Sequence, residues 1–458
     1  MKARKIFQRI DMQLRRIQLT AGVLIPLSLS ILLSGLPGLA SASEGGYPEG
    51  SPDVTAESKV VLGDDATLQD YLAYAALNNP GLEAAFEEWA QAMERIGQVK
   101  SLPDPRLTYA YYIQEVETRV GPQRQAFALM QTIPWFGKLG ARGDMAREAA
   151  EAAHQKYEAA KLRLFYRVKH AYYEYYYLAR AIDITESNMT LLENLESVAR
   201  AKYRAGEGAH PAVIKAQVEL GKLEDRLNSL RDLRAPTLAR LNAALGRPAA
   251  EDLPWPQGIE YEPVRLDEAE ISRRLEETSP ELRALAHVTA REERSVNLAR
   301  KDYFPDFTLG ANYIDTGQAL DPEMKDSGKD AFMVSLSINL PLWVGKYRSA
   351  EREAHARVDA ARRRQDDSES RLQADLSFAL FQLRDAGRRI DLYRDTLIPK
   401  AEESLLVSQR AFAVDNADFF ELIDAERTLL EFQLSYERAL TEHAQRLSEI
   451  EMLTGREL

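Results

Sequence analysis

The chain has 458 residues, a formal net charge of −12 and no cysteine. The acidic balance argues against nucleic acid as the main partner, and the missing thiols exclude disulfides, thiolate metal sites and cysteine nucleophiles. Length alone would suggest about three domains, but an internal duplication overrides that estimate.

The first 42 residues have the pattern of a secretory signal. Basic residues precede an apolar run over 19–33, and Ala40-Ser41-Ala42 follows with the small-x-small form of a signal-peptidase site. We expect a signal peptide over 1–42, with a membrane anchor as the alternative, and a polar N-terminal arm over 43–66. Beyond the signal no stretch reaches the ~20 apolar residues of a transmembrane helix, so we expect membrane contact only through β-strands.

A first repeat is expected over 67–248. A short helix over about 68–77 precedes a second helix beginning at Asn79-Pro80, because proline is tolerated in a first helical turn. Alternating apolar residues then predict a β-hairpin over 106–133, with its turn around Gly121-Pro122.

A very long helix pair completes this repeat. No proline falls between Leu139 and Tyr203, so at ~1.5 Å per residue the helix would run about 100 Å. A return helix is predicted from His210-Pro211 to Leu245, where Gly246 caps it. The predicted coiled-coil seam of the long helix consists of Val168, Tyr172, Tyr175, Ala179, Ile182 and Met189.

The same order of elements recurs over 267–458, after a proline-rich linker over 249–266. The offset between the copies grows inside the hairpins and is nearly constant across the long helices, which indicates a duplicated unit whose second hairpin covers 307–339. The landmark pairs are Pro105 and Pro305 (offset 200), Gly137-Lys138 and Gly345-Lys346 (offset 208), and Gly246 and Gly455 (offset 209).

The strands of these hairpins combine an apolar face with a small or polar one. In the last strand Ser335 and Ser337 alternate with larger apolar residues. Lipid outside and water inside would require such a pattern, and a soluble sheet with one face on a core is the alternative. The residues expected to face the membrane are Leu107, Tyr109, Tyr111, Phe332, Val334 and Leu336.

Four strands cannot close a barrel, and unpaired strand edges cannot lie in lipid, so the chains must assemble. Two chains would give about eight strands around a filled interior, whereas three would give about twelve around an aqueous lumen. The predicted fold class is therefore α+β. Long coiled-coil helices would extend the lumen as a helical α-barrel, and four strands per chain would form a trimeric β-barrel of about twelve strands.

Taken together, these features resemble the TolC family of outer-membrane efflux proteins over nearly all of 67–458, and its heavy-metal efflux branch most. The resemblance implies an outer-membrane location, a homotrimer in contact with outer-membrane lipid, and a helical tunnel in the periplasm. It also implies a passive duct that receives substrate from a periplasmic adaptor protein and an inner-membrane pump of the RND type. The segments that carry it are Asp104-Pro105, Pro305-Asp306, Pro134-Trp135-Phe136-Gly137-Lys138, Pro341-Leu342-Trp343-Val344-Gly345-Lys346 and Tyr203-Arg204-Ala205-Gly206.

Acidic residues gather at the tip of the second long helix pair, at Asp415, Asp418, Glu421 and Asp424. Repeated around a threefold axis, they would attract cations. The resemblance implies that Glu421 and Asp424 occupy the positions of an aspartate pair at the constricted periplasmic mouth. For Asp415 and Asp418 the alternative is an ordinary helix-start role. The turns that the resemblance marks for adaptor docking contain Gly206, Gly208 and Asn416, and a plain helix reversal is the alternative there.

Enzyme chemistry finds no support in the sequence. It contains no phosphate loop, nucleophile elbow or metalloprotease motif, and its six histidines lack ligand spacing. We therefore expect no catalytic residue, no cofactor and no fixed metal site. The remaining alternatives are a periplasmic coiled-coil structural or adaptor protein and an outer-membrane duct for type I protein secretion. The cargo of a duct is chosen by its pump, so metal, drug and protein all stay open.

Overall fold

The computed structural model describes residues 62–206, 210–256, 258–264, 266–321, 323–414 and 418–456. The predicted signal peptide and the predicted arm as far as residue 61 lie outside the described residues. All elements named below belong to the unit that begins at Gly63.

The described chain runs through the same order of elements twice. The first pass comprises α1 (Leu68–Asn78), α2 (Pro80–Lys100), β1 (Arg106–Thr118), β2 (Gly121–Ile133), α3 (Lys138–Arg204), α4 (His210–Asp232) and α5 (Arg234–Leu245). The second comprises α6 (Glu268–Thr278), α7 (Pro280–Lys301), β3 (Phe307–Thr316), β4 (Ala331–Ile338), α8 (Val344–Leu392), a π-helical segment (Tyr393–Leu397), α9 (Ile398–Ala413) and α10 (Phe419–Thr454). The predicted duplication is thus confirmed at the level of the fold.

Asn79 shows how local sequence sets a helix start. Its side-chain oxygen accepts hydrogen bonds from the backbone N–H groups of Gly81 and Leu82, at 2.9 and 3.1 Å, and so caps α2. Its side-chain amide donates to the carbonyl of Ala244 at 3.0 Å. One residue therefore both starts α2 and ties it to the end of α5.

Prolines interrupt two of the long helical segments, and one of these is the predicted return helix of the first repeat. The predicted return helix over 210–245 is interrupted at Leu233, between α4 and α5. Pro236 lacks the N–H that would bond the carbonyl four residues earlier, so the α-helical ladder fails there. Pro399 has the same effect after α8, where the chain inserts the π-helical segment before α9.

The predicted seam of α3 is correct only in its first half. Val168, Tyr172 and Tyr175 are buried, as expected, but Ala179, Ile182 and Met189 are only half-buried. The buried face shifts beyond Tyr175 because that part of α3 packs into a cluster with α4, α9 and α10. Beyond Tyr175 the buried positions are Tyr176, Leu178, Ala181, Ile184, Thr185, Asn188, Leu192, Leu195, Glu196 and Ala199.

The four strands form one antiparallel sheet in the order β1-β2-β3-β4. The pairing of β2 with β3 joins the two repeats. The first turn lies at 119–120, two residues before its predicted position, because Gly121 already belongs to β2. Gly121 has φ +131°, and a Cβ there would lie 1.8 Å from the Gly317 carbonyl oxygen, so glycine is required.

The long helices supply the core. α3 packs against α2, α7 and α10, and α8 packs against α7 and α10. The largest buried apolar cluster joins α3, α4, α9 and α10 through residues such as Leu192, Ala216, Leu405 and Leu422. None of the helices in the described ranges is sufficiently long and apolar to span a bilayer.

Candidate functional site

One face of the sheet is built from apolar rows that cross all four strands. Hydrogen-bonded register places Tyr109 beside Phe127, Phe127 beside Tyr313 and Tyr313 beside Phe332. The next row consists of Leu107, Leu129, Ala311 and Val334. Antiparallel pairs directly across from each other share a face, so the sequence alternation of each strand becomes one continuous apolar surface.

The opposite face carries mainly small and polar side chains, with Met130, Ile314 and Met333 as larger apolar members. One row contains Thr108, Ala128, Asn312 and Met333, and another contains Thr132, Thr308 and Ser337. The Thr132 and Thr308 hydroxyls lie 3.1 Å apart. The sheet therefore separates an apolar surface from a largely polar one.

All six residues predicted to face the membrane lie on the apolar surface and are exposed in the chain. Val334 and Leu107, for example, expose 71% and 70% of their surface. Exposed apolar area of this extent marks a surface that another apolar phase or chain covers. Strands β1 and β4 are the two edges of the sheet, each paired on one side only.

The two repeats meet at an ion pair whose lysine is buried and whose aspartate side chain is 30% exposed. The Lys138 side chain is 4% exposed, and its Nζ donates to Asp306 Oδ1 at 2.9 Å and to the Phe304 carbonyl at 3.0 Å. Asp306 Oδ1 also accepts the Trp135 backbone N–H at 2.8 Å. The Trp135 ring stacks on Phe304 and Phe307, with centroid distances of 5.1 and 5.6 Å. We call these five residues the repeat junction.

At the far end of the long helices, the helix ends that precede the two predicted docking turns are in contact. Lys202 Nζ donates to the Phe412 carbonyl at 2.6 Å and lies 4.6 Å from the centroid of its ring. Phe412 in turn contacts Phe419 at a centroid distance of 5.3 Å. Gly206 follows α3 with φ +80°, a left-handed conformation that favours glycine at the end of a helix. The other two docking candidates, Gly208 and Asn416, lie outside the described residues.

The acidic candidates differ in what they contact. Asp418 Oδ1 accepts the Phe420 N–H at 3.3 Å and thereby caps α10, the helix-start role given as its alternative. Glu421 and Asp424 are both exposed, and their spacing of three places them on one helix face. Neither forms an ion pair within the part of the chain that the structure describes. Asp415 lies outside the described residues.

Glu426 is a residue that the sequence analysis missed. It is only 1% exposed, and its Oε1 has no hydrogen-bond partner among the described residues. Burial, reinforced by the charge of Glu219 on α4, raises the pKa of Glu426 from 4.5 to about 7 against the effect of Arg427. Glu219 itself is held by Lys215 and Lys222, each at 3.0 Å.

A sequence signal for Glu426 existed. Glu426 lies four residues after Leu422 and three before Leu429, so it occupies the apolar stripe of α10. Across the described ranges, no group of three or more histidine, aspartate or glutamate side chains is arranged to hold a metal ion.

Comparison with known proteins gives relatives of similar length and architecture. Nodulation protein T of Rhizobium leguminosarum bv. trifolii is 22% identical over 460 aligned positions, covering 93% of this chain and 95% of the relative. The cobalt-zinc-cadmium resistance protein CzcC of Cupriavidus metallidurans is 22% identical over 393 positions, covering 85% and 90%. Among solved structures, the outer-membrane channel OprN superposes with a TM-score of 0.71 at 19% identity, covering 86% of this chain and 90% of that one.

The duplicated helix and hairpin unit, the two-faced sheet and the long helix pairs give this chain the fold of solved outer-membrane channels. The family model described as "outer membrane efflux protein" matches both repeats, over 72–247 and 271–456. The chain belongs to this family, which confirms the resemblance found in the sequence.

Proposed function

We propose that three copies of this chain wall a passive export duct of a tripartite efflux system. In this proposal an inner-membrane pump of the RND type delivers substrate through a periplasmic adaptor, and the duct carries it across the outer membrane. The observation that carries the proposal is the sheet, since its apolar face is exposed and both of its edges are open. Open strand edges are not tolerated in lipid.

The stoichiometry follows from the strand number. With four strands per chain, three copies supply about twelve strands, enough for a water-filled lumen. The polar rows around Asn312 and Thr308 would face that lumen, and the rows around Val334 and Tyr109 would face outer-membrane lipid. The 67 residues of α3 would extend the duct by about 100 Å into the periplasm.

The tip of the long helices is proposed as the periplasmic mouth. Three copies of the exposed Glu421 and Asp424 would form an acidic ring that favours cations, with Asp415 and Asp418 beside it. The proposed contacts for the adaptor are two turns. One contains Gly206 and Gly208, and the other contains Asn416. The name of CzcC, a cobalt-zinc-cadmium resistance protein, supports divalent metal cations as cargo.

Arginine substitution tests which face of the sheet meets lipid. Val334→Arg and Leu336→Arg should each cost about 2–4 kcal/mol near mid-membrane and block insertion. The matched control is Ser337→Arg, on the same strand but on the polar face, which should insert normally into an aqueous lumen. Membrane fractions and detergent-solubilised trimers are the readouts. The proposal fails if all three variants assemble equally well, or if the unsubstituted protein fractionates without membrane.

A further inference from the structure

Two residues of the repeat junction, Trp135 and Lys138, recur in the second repeat without forming such a junction among the described residues. Trp343, Gly345 and Lys346 repeat the spacing of Trp135, Gly137 and Lys138 at an offset of 208. The Lys138 side chain is 4% exposed and ion-paired. Trp343, by contrast, is 79% exposed, and Lys346 is exposed with no ion pair among the described residues.

The residue that would pair with Lys346 lies at the opposite edge of the sheet. Continuing the β1–β2 register by two residues places Asp104 opposite Thr132, and continuing the β3–β4 register by one places Asp306 opposite Asn339. Thr132 and Asn339 each stand two residues before the proline that ends their strand. By its place opposite the partner strand, Asp104 is therefore the structural counterpart of Asp306, at an offset of 202 that differs by two from the offset of the Pro105 and Pro305 landmark. It is exposed and, in the described ranges, has no ion pair.

Sheet order explains why one junction is complete and the other is not. Within the chain β2 lies beside β3, so Lys138 after β2 meets Asp306 before β3. Lys346 follows β4 and Asp104 precedes β1, and these two strands are the opposite edges of the sheet. A single chain cannot bring them together, but closure of a ring of chains sets β4 of one copy against β1 of the next.

We propose that Lys346 of one copy pairs with Asp104 of the next copy, forming an inter-chain junction equivalent to the Lys138–Asp306 pair. Trp343 then packs against Leu102 and Pro105 of that neighbour, which stand where Phe304 and Phe307 stand in the repeat junction. The occupant of the exposed motif is thus a second copy of this chain. The inference rests on the proposed assembly and adds a contact that stabilises it between neighbouring chains.

Helix packing and charge agree with this assignment. α3 packs between α2 and α7. Its counterpart α8 packs against α7, but no comparable packing against α2 occurs within the described residues. The open side of α8 is the side on which the α2 helix of a neighbouring copy would complete the pattern. A lysine facing an aspartate is the charge combination that the Lys138–Asp306 pair already uses.

Cross-linking tests the contact directly, because the chain contains no cysteine. The double variant Asp104→Cys/Lys346→Cys is assembled in detergent and then treated with a short bis-maleimide. It should yield cross-linked dimers and trimers on denaturing gels. Each single variant should remain monomeric on the gel. Lys138→Cys/Asp306→Cys serves as the distance control and should cross-link only within one chain.

The outcomes separate this inference from the proposed assembly. If the double variant sediments as a trimer but gives only monomer after cross-linking, the junction is wrong and the assembly stands. If the protein itself does not sediment as a trimer, the proposed assembly fails.

Charge exchange gives a second measurement. Lys346→Asp and Asp104→Lys should each lower the temperature at which the trimer dissociates, and the two together should restore most of that loss. Losses that simply add would overturn the pairing, because an exchanged pair can recover only if the two side chains meet.

Discussion

Glu426→Gln should stabilise the protein in a pH-dependent way. The folded state holds this carboxyl group with a pKa of about 7, against 4.5 for an unburied glutamate. At ~1.4 kcal/mol per pH unit, this difference corresponds to about 3 kcal/mol. Below pH 4.5 the group is protonated in both the folded and the unfolded state and contributes no penalty. Between pH 4.5 and about 7 the unfolded chain releases the proton first, so the free energy of unfolding falls, and the full penalty remains above that range.

Thermal unfolding of the detergent-solubilised protein from about pH 4.5 to about pH 8 measures this effect. Glutamine keeps the size of the side chain and removes the buried charge, so the variant should have the higher Tm at the alkaline end and a similar Tm at the acid end. Glu421→Gln, on the exposed face of the same helix, is the matched control and should not flatten the pH profile. An equal Tm difference at every pH would refute the reasoning, since it would show that no proton is linked to the effect.

Three further outcomes are expected. Asp306→Asn should cost about 3 kcal/mol of unfolding free energy in denaturant titrations, because it leaves the Lys138 ammonium buried without its closest carboxylate; a cost below about 0.5 kcal/mol would contradict this. Gly121→Ala should destabilise the hairpin by more than about 1 kcal/mol, seen as a lower trimer Tm, because its Cβ would lie 1.8 Å from a backbone oxygen at φ +131°. Neutralising Glu421 and Asp424 as Gln and Asn should reduce cation preference in planar-bilayer conductance, and unchanged selectivity would remove them from the mouth.

Local patterns were predictable wherever a single element decided the outcome. The alternation in β4 predicted which residues share a face, because side chains of a strand alternate by geometry alone. Asn79 before Pro80 predicted the start of α2 for the same kind of local reason.

Predictions failed where contacts with other helices determine which side chains are buried. The buried face of α3 rotates after Tyr175 because its packing partners change along a helix of 67 residues. Glu426 is buried because α4 packs against that face of α10 and brings Glu219 close. Pro236 and Pro399 were visible in the sequence, but the response of the chain was not. One proline splits the helix, and the other is absorbed by a π-helical segment.

The sequence by itself determined the duplication, the two-faced strands and the repeated motif that ends in Gly137-Lys138 and Gly345-Lys346. Only the tertiary structure decided that these two motifs differ. Lys138 is buried and paired, whereas Lys346 is exposed. The physical reason is that burial belongs to the neighbours of a residue and not to its local sequence. The order β1-β2-β3-β4 gives the first motif a partner within the chain and leaves the second at an open edge.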